Sequence, residues 1–217
     1  MRYLDMETWP RREHYELFGS MNHPHVGLCA NLDVTPLRDF IRERSHSFNT
    51  AVMYLLGRVA NSIPAFRQRI RDSKVVEHDR VDPSYTILVK NELFSFCTIE
   101  YGDDFPAFAR RATAAKAHVE AHPTLAAGLE AVARRDDLLY ISVIPWVSFT
   151  AFQHPMPLHP ADSIPRFAVG KHFGDERMLQ MPLGVQGHHA LVDGLHIGRF
   201  YQQMQVLLSD PQGTLGN

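Results

Sequence analysis

Two adjacent histidines, His188 and His189, stand in the segment MPLGVQGHHALVDGLHIGRF, Met181 to Phe200. An imidazole titrates near neutrality, so it suits proton removal from an alcohol. Asp193 follows His189 by four residues. A carboxylate at that spacing can orient the ring, or can fix the loop by pairing with an arginine. Bland readings compete. Asp-Gly is a common turn, and a histidine ahead of a helix is often only a packed or surface residue. The chain has thirteen histidines, which raises the chance of a coincidental pair. Adjacent residues on a strand point to opposite faces, so His188 and His189 do not readily share one metal. No CxxC or HExxH spacing supports zinc, and no metal is expected. The pattern alone leaves catalysis and a structural histidine both open.

The pair must be delivered by a strand, Gln180–Gln186, that ends in Gly187, and a helix from about Asp193 to Leu208 follows it. Upstream, Thr8 is read as the cap of a helix with Pro10 in its first turn, running to Phe18 before Gly19. Val26–Val34 alternates as a strand, and Thr35–Arg44 repeats Leu37, Phe40 and Ile41 at helical spacing. Asn49–Ile63 is a more apolar helix, stopped by Pro64. Strands are expected at Lys74–His78, Ser84–Lys90 and Leu93–Tyr101. Asp103 and Asp104 open a helix to His118 or beyond. Leu138–Ile144 and Arg166–Lys171 read as buried strands, and Gln153–Pro165, rich in Pro and His, as a long loop. These elements predict an α+β or α/β layered sandwich.

The 217 residues suit a single domain, 1–217. Hydrophobic residues make up 45% and charged residues 21%, an ordinary globular balance. A net charge of -2, with the signs interleaved, offers no basic footprint for nucleic acid. The start, MRYLDMETWPRREHYELF, has no long apolar run, so neither a signal peptide nor a membrane span is read there. Cys29 and Cys97 are read as buried small hydrophobes rather than a disulfide framework, and a cytoplasmic protein is expected.

HHALVDGLH resembles the HHxxxDGxH signature of the chloramphenicol acetyltransferase family, whose shorter form HHxxxDG is shared by a wider superfamily of coenzyme A-dependent acyltransferases. WPRREHYELF, Trp9 to Phe18, resembles the family's N-terminal helix, and ISVIPWVSFTAF, Ile141 to Phe152, its central strand and turn. VDPSYTILVKNELFSF and AVGKHF correspond as well, so the likeness runs in order along nearly the whole chain.

The resemblance implies an α/β fold, a two-layer sandwich of a mixed β-sheet with helices on one face. It implies transfer of acetyl from acetyl-CoA to the 3-hydroxyl of chloramphenicol, an antibiotic-resistance activity. Both substrates would be held in a ternary complex at the subunit interfaces of a homotrimer. It carries over His189 as general base, Ser142 as donor to the oxyanion, and Asp193 as the partner of Arg11 in an ion pair that holds the loop. His188 then packs or braces that loop. Trp146 and Lys171 are implied at coenzyme A, with Lys171 available to the ribose phosphate. Phe18, Phe94, Phe96, Pro24 and Val26 are implied at the acceptor. Asn22, Pro24 and Val26 depart from the family's usual groups, and Phe96 stands where a small residue is usual. Those departures motivate a second reading, an acetyltransferase for another small hydroxylated acceptor. A third is a non-catalytic trimeric binding protein.

Overall fold

The computed structural model describes residues 1–44, 46–123, 125, 129 and 135–216. The chain opens with β1 (Arg2–Tyr3), α1 (Arg12–Gly19), β2 (His25–Asp33), α2 (Thr35–Arg44), α3 (Phe48–Ser62), α4 (Pro64–Arg67) and β3 (Gln68–Arg71). It continues with β4 (Lys74–Glu77), β5 (Asp82–Leu88), β6 (Phe94–Thr98), α5 (Phe105–Ala121), β7 (Leu138–Ile144) and β8 (Arg166–Gly170). Then come β9 (Phe173–Gly174), β10 (Leu179–His188), α6 (Gly194–Ser209) and α7 (Pro211–Leu215). Most boundaries follow local chemistry. Ser47 caps α3 by accepting the Thr50 N–H at 3.3 Å, and Asp104 caps α5 by accepting that of Ala107 at 2.6 Å. Pro64 ends α3, because the residue before a proline is pushed out of helical geometry.

The main sheet runs β2-β10-β8-β7-β5-β6, with β9 paired to β10. It is mixed: β7 is parallel to both β5 and β8, and its other ladders are antiparallel. Alternation splits each strand between two faces. Ile141, Phe167, Val169, Leu183 and Val185 point into one hydrophobic core with Val52, Leu55, Leu56 and Val59 of α3 and Phe200 and Met204 of α6. Their neighbours Ser142, Ala168 and Gly184 share one register on the opposite face. The helices therefore lie on one face, and the other is left for chemistry.

Two expectations are corrected. The Thr8 hydroxyl bonds Asp5 at 3.0 Å instead of capping a helix, and α1 starts at Arg12 after an Arg11 that gives no side-chain cap. A second sheet, β1-β4-β3, was not expected. It is fastened to the main sheet by Arg69, fully buried, whose guanidinium donates to the carbonyls of Phe66, Gln68, Asp136 and Leu138 at 2.6–3.0 Å. Four backbone acceptors meet the buried donors that desolvation would otherwise penalise.

Candidate active site

His188 closes β10, and the chain then folds back over the strand. A Cβ on Gly187 would collide with Val192, so only glycine permits this return. The His188 carbonyl accepts the N–H groups of Leu191 at 2.9 Å and Val192 at 3.0 Å. His188 itself is buried, its Nδ1 accepts the Ala190 N–H at 3.2 Å, and its ring meets His25 edge-on at 5.4 Å. Burial, with a smaller contribution from His25, pushes its pKa down to about 4. It is a neutral brace of the loop.

His189 is placed differently. Its backbone N–H donates to the Pro24 carbonyl at 2.7 Å, and its half-buried ring lies flat on Phe18, 3.8 Å between centroids at 15°. Nδ1 sits 3.0 Å from the Val192 carbonyl. A carbonyl only accepts, so Nδ1 carries the hydrogen, and in the neutral ring the lone pair is on Nε2. Nε2 has no hydrogen-bond partner among the described residues. That is the tautomer a general base needs.

Asp193 opens α6, accepting the N–H of Leu195 at 3.0 Å and His196 Nδ1 at 2.7 Å. Its other oxygen takes Arg11 Nη1 at 2.6 Å. The same guanidinium donates to the carbonyls of His189 at 3.1 Å and Ala190 at 3.3 Å. Burial opposes the charge on Asp193. Hydrogen bonds from Arg11 and His196, and their charges, overcome it and hold the carboxyl well below the usual carboxylate range. Arg11 thus ties α1, the histidine loop and α6 together.

Ser142 lies mid-strand on β7, half-buried. Its Oγ is 3.2 Å from Nε2 of His154, in the irregular segment after that strand. Gln186 Oε1 accepts both the backbone N–H of His154 at 3.0 Å and its Nδ1 at 2.7 Å. The backbone N–H fixes Oε1 as the acceptor, so Nδ1 carries the ring hydrogen. In the neutral ring Nε2 is then the acceptor for the Ser142 hydroxyl. A Cβ on Gly27 would come within 2.9 Å of Gln186 Cγ, so glycine there leaves the amide room. Neither His154 nor Gln186 was singled out from the sequence.

Within one chain, Ser142 and His189 do not meet. Ser142, Ala168 and Gly184 are level across β7, β8 and β10, and His189 lies five residues beyond Gly184. Two strand spacings and five residues put the two Cα positions roughly 10 Å apart across the sheet and 16 Å along it. The expected binding residues divide likewise. Phe18 and the Pro24 carbonyl are at His189, while Val26 pairs with Gly187 and packs on the core. Phe94 and Phe96 meet edge-on at 5.8 Å on β6, the far edge of the sheet. Trp146 is 65% exposed, and Lys171 is exposed on a loop joined to it, its N–H bonding Val147 at 3.0 Å and its carbonyl Ser148 at 2.8 Å. A bare indole and an ammonium with no carboxylate partner among the described residues suit an adenine and a phosphate.

Comparison with known proteins gives a consistent match. The model of the family described as chloramphenicol acetyltransferase matches residues 1–205. The chain is 31% identical over 216 residues to a chloramphenicol acetyltransferase of Klebsiella sp, covering 97% of this chain and 94% of that one. It is 31% identical over 205 residues to chloramphenicol acetyltransferase 2 of Haemophilus influenzae, covering 94% and 95%. A solved chloramphenicol acetyltransferase superposes with a TM-score of 0.89 at 26% identity, over 95% of this chain and 99% of that one. The cubic core of the pyruvate dehydrogenase multienzyme complex shares the fold, with a TM-score of 0.64 at 20% identity over 88% and 84%.

Proposed function

This chain belongs to the chloramphenicol acetyltransferase family, and from that premise we propose that it transfers acetyl from acetyl-CoA to the 3-hydroxyl of chloramphenicol, conferring resistance to the antibiotic. The observation that carries the mechanism is the His189 ring, whose Nδ1–H is tied to Val192, so that in the neutral ring the lone pair is on Nε2. Nε2 takes the proton of the acceptor hydroxyl as its oxygen attacks the thioester carbonyl. The tetrahedral intermediate collapses with release of the thiol, which recovers that proton. Both substrates are held together, so no acyl-enzyme is required on this route.

Ser142 serves the oxyanion. Its hydroxyl swings from His154 to the developing charge, exchanging a neutral hydrogen bond for a stronger charge-assisted one. The distance between Ser142 and His189 in one chain supports a site shared by two subunits of a homotrimer, the base from one and Ser142 from the next. Trp146 and Lys171 then receive coenzyme A, with Lys171 at the ribose phosphate. Phe18, Phe94 and Phe96 line the acceptor cleft, and Pro24 and Val26 shape it from behind His189. No described helix is long and apolar enough to cross a membrane, and we place the enzyme in the cytoplasm, where acetyl-CoA is supplied.

The test is to mix the protein with acetyl-CoA and chloramphenicol and follow thiol release and ester formation. Release with formation of the 3-acetyl ester is expected. No release with chloramphenicol would overturn the assignment. Release only with another alcohol would favour the second reading, which the bulk of Phe96, edge-on to Phe94 at 5.8 Å, motivates.

A further inference from the structure

Ser142, His154 and Gln186 form a chain of nucleophile, base and orienting group, of which the ternary-complex route uses only the serine hydroxyl, as a donor. The hydroxyl donates to Nε2 of His154 over 3.2 Å, and Nδ1–H of the same ring donates to Gln186 over 2.7 Å. This is the connectivity of an activated serine, in which the third group fixes the tautomer that leaves Nε2 able to accept. Here the third group is a neutral amide, held as an acceptor by the His154 backbone N–H. Burial lowers the His154 pKa, so the ring is neutral and able to accept at physiological pH. Gln186 lines an open cleft of about 440 Å³ with Phe152 and Gln153, the two residues before His154. Gln186 thus borders accessible space, and Ser142 itself is only half-buried.

The geometry points to a second, covalent activity: Ser142 accepts acetyl from acetyl-CoA to give an acetyl-serine, which water hydrolyses to acetate when no alcohol acceptor is bound. This rests on the reading that brings the thioester beside Ser142. In the first half, Ser142 Oγ bonds to the thioester carbonyl carbon and its proton passes to His154 Nε2. The carbon–sulfur bond then breaks, and the departing sulfur takes the proton from Nε2, giving free coenzyme A. In the second half, water adds to the ester carbonyl and gives a proton to Nε2. The bond to Oγ then breaks, and Ser142 recovers that proton. His189 takes no part. An oxygen ester is a poorer acyl donor than a thioester, so the second half is the slower and acetyl-Ser142 accumulates.

The experiment quenches the protein after incubation with acetyl-CoA alone and measures the mass of the Ser142 peptide. An acetyl increment on Ser142 is expected in the wild type and in His189→Ala. Ser142→Ala should carry none, and His154→Leu should form it about 10²–10⁴-fold more slowly. An unmodified Ser142 peptide in the wild type, or equal rates in His154→Leu, would overturn the proposal. A parallel arm with chloramphenicol reports on the earlier reading by itself. Ester formation with an unmodified Ser142 sinks only the covalent route, and acetyl-Ser142 without ester sinks only the assigned acceptor.

Discussion

Arg11 and Asp193 meet at 2.6 Å although 182 positions separate them in sequence. The contact joins the first helix to the start of α6, and the same guanidinium holds the carbonyls of His189 and Ala190. The carboxylate is thus spent on the loop's shape, while Nδ1 of His189 is served by Val192.

Asp193→Asn should therefore cost stability as well as activity. The pair is mostly shielded, its side chains 15% and 26% exposed, and the variant leaves Arg11 without its counter-charge. A loss of about 1–3 kcal/mol is expected in denaturant unfolding. The sign with pH follows from the depressed carboxyl. Its stabilisation is complete above the unfolded aspartate value, about 3.9, and is lost as pH falls toward the lower folded value. The wild type should lose this contribution below about pH 4, whereas Asp193→Asn should not. Equal stability of the two proteins at neutral pH would contradict the pairing.

His189→Ala should lower kcat by about 10²–10⁴-fold, the usual weight of a positioned base. Its melting temperature should stay within a few degrees of the wild type, because the ring is half-buried and makes one side-chain hydrogen bond. Phe18→Ala removes the surface on which that ring lies. A stacked pair is worth about 0.5–1.5 kcal/mol, so kcat should fall up to about tenfold through a poorly held base. Thermal unfolding and steady-state rates check both variants.

His188 gives a separate pH signature. Its folded pKa of about 4 lies below the unfolded histidine value of about 6.5, so the unfolded chain binds the proton first as pH falls. Stability should decline from about pH 6.5 to about pH 4, by on the order of 3 kcal/mol. Unfolding midpoints across that range check it, and His188→Gln should flatten the slope.

Lys171→Ala should raise KM for acetyl-CoA about fivefold with kcat unchanged, the effect of losing one exposed charged contact of about 1 kcal/mol. The rise should vanish with a coenzyme lacking the ribose phosphate. Titrating both coenzymes against both proteins checks it.

The sequence carried much of this architecture because apolar periodicity survives folding. Thr35–Arg44 and Leu138–Ile144 form over the expected residues, and β10 delivers the histidines at its end. The small sheet escaped notice because β3 is QRIR, a polar tetrapeptide whose buried Arg69 is paid for by distant carbonyls. The link from Ser142 through His154 to Gln186 was equally hidden. Twelve residues separate the first two and 32 the last two, and nothing local in a Pro- and His-rich loop points back to a strand. Pro24 acts on His189 through its carbonyl, which every residue carries, so its side chain gave no sign of that contact.

The central claim is that His189 of one subunit works with Ser142 of another. Co-expressing His189→Ala with Ser142→Ala, each deeply impaired alone, tests it directly. The account predicts recovered formation of the acetyl ester, because every mixed trimer pairs one intact His189 with one intact Ser142 across an interface. Activity no higher than that of the two variants assayed separately, from trimers shown to be mixed, would contradict it.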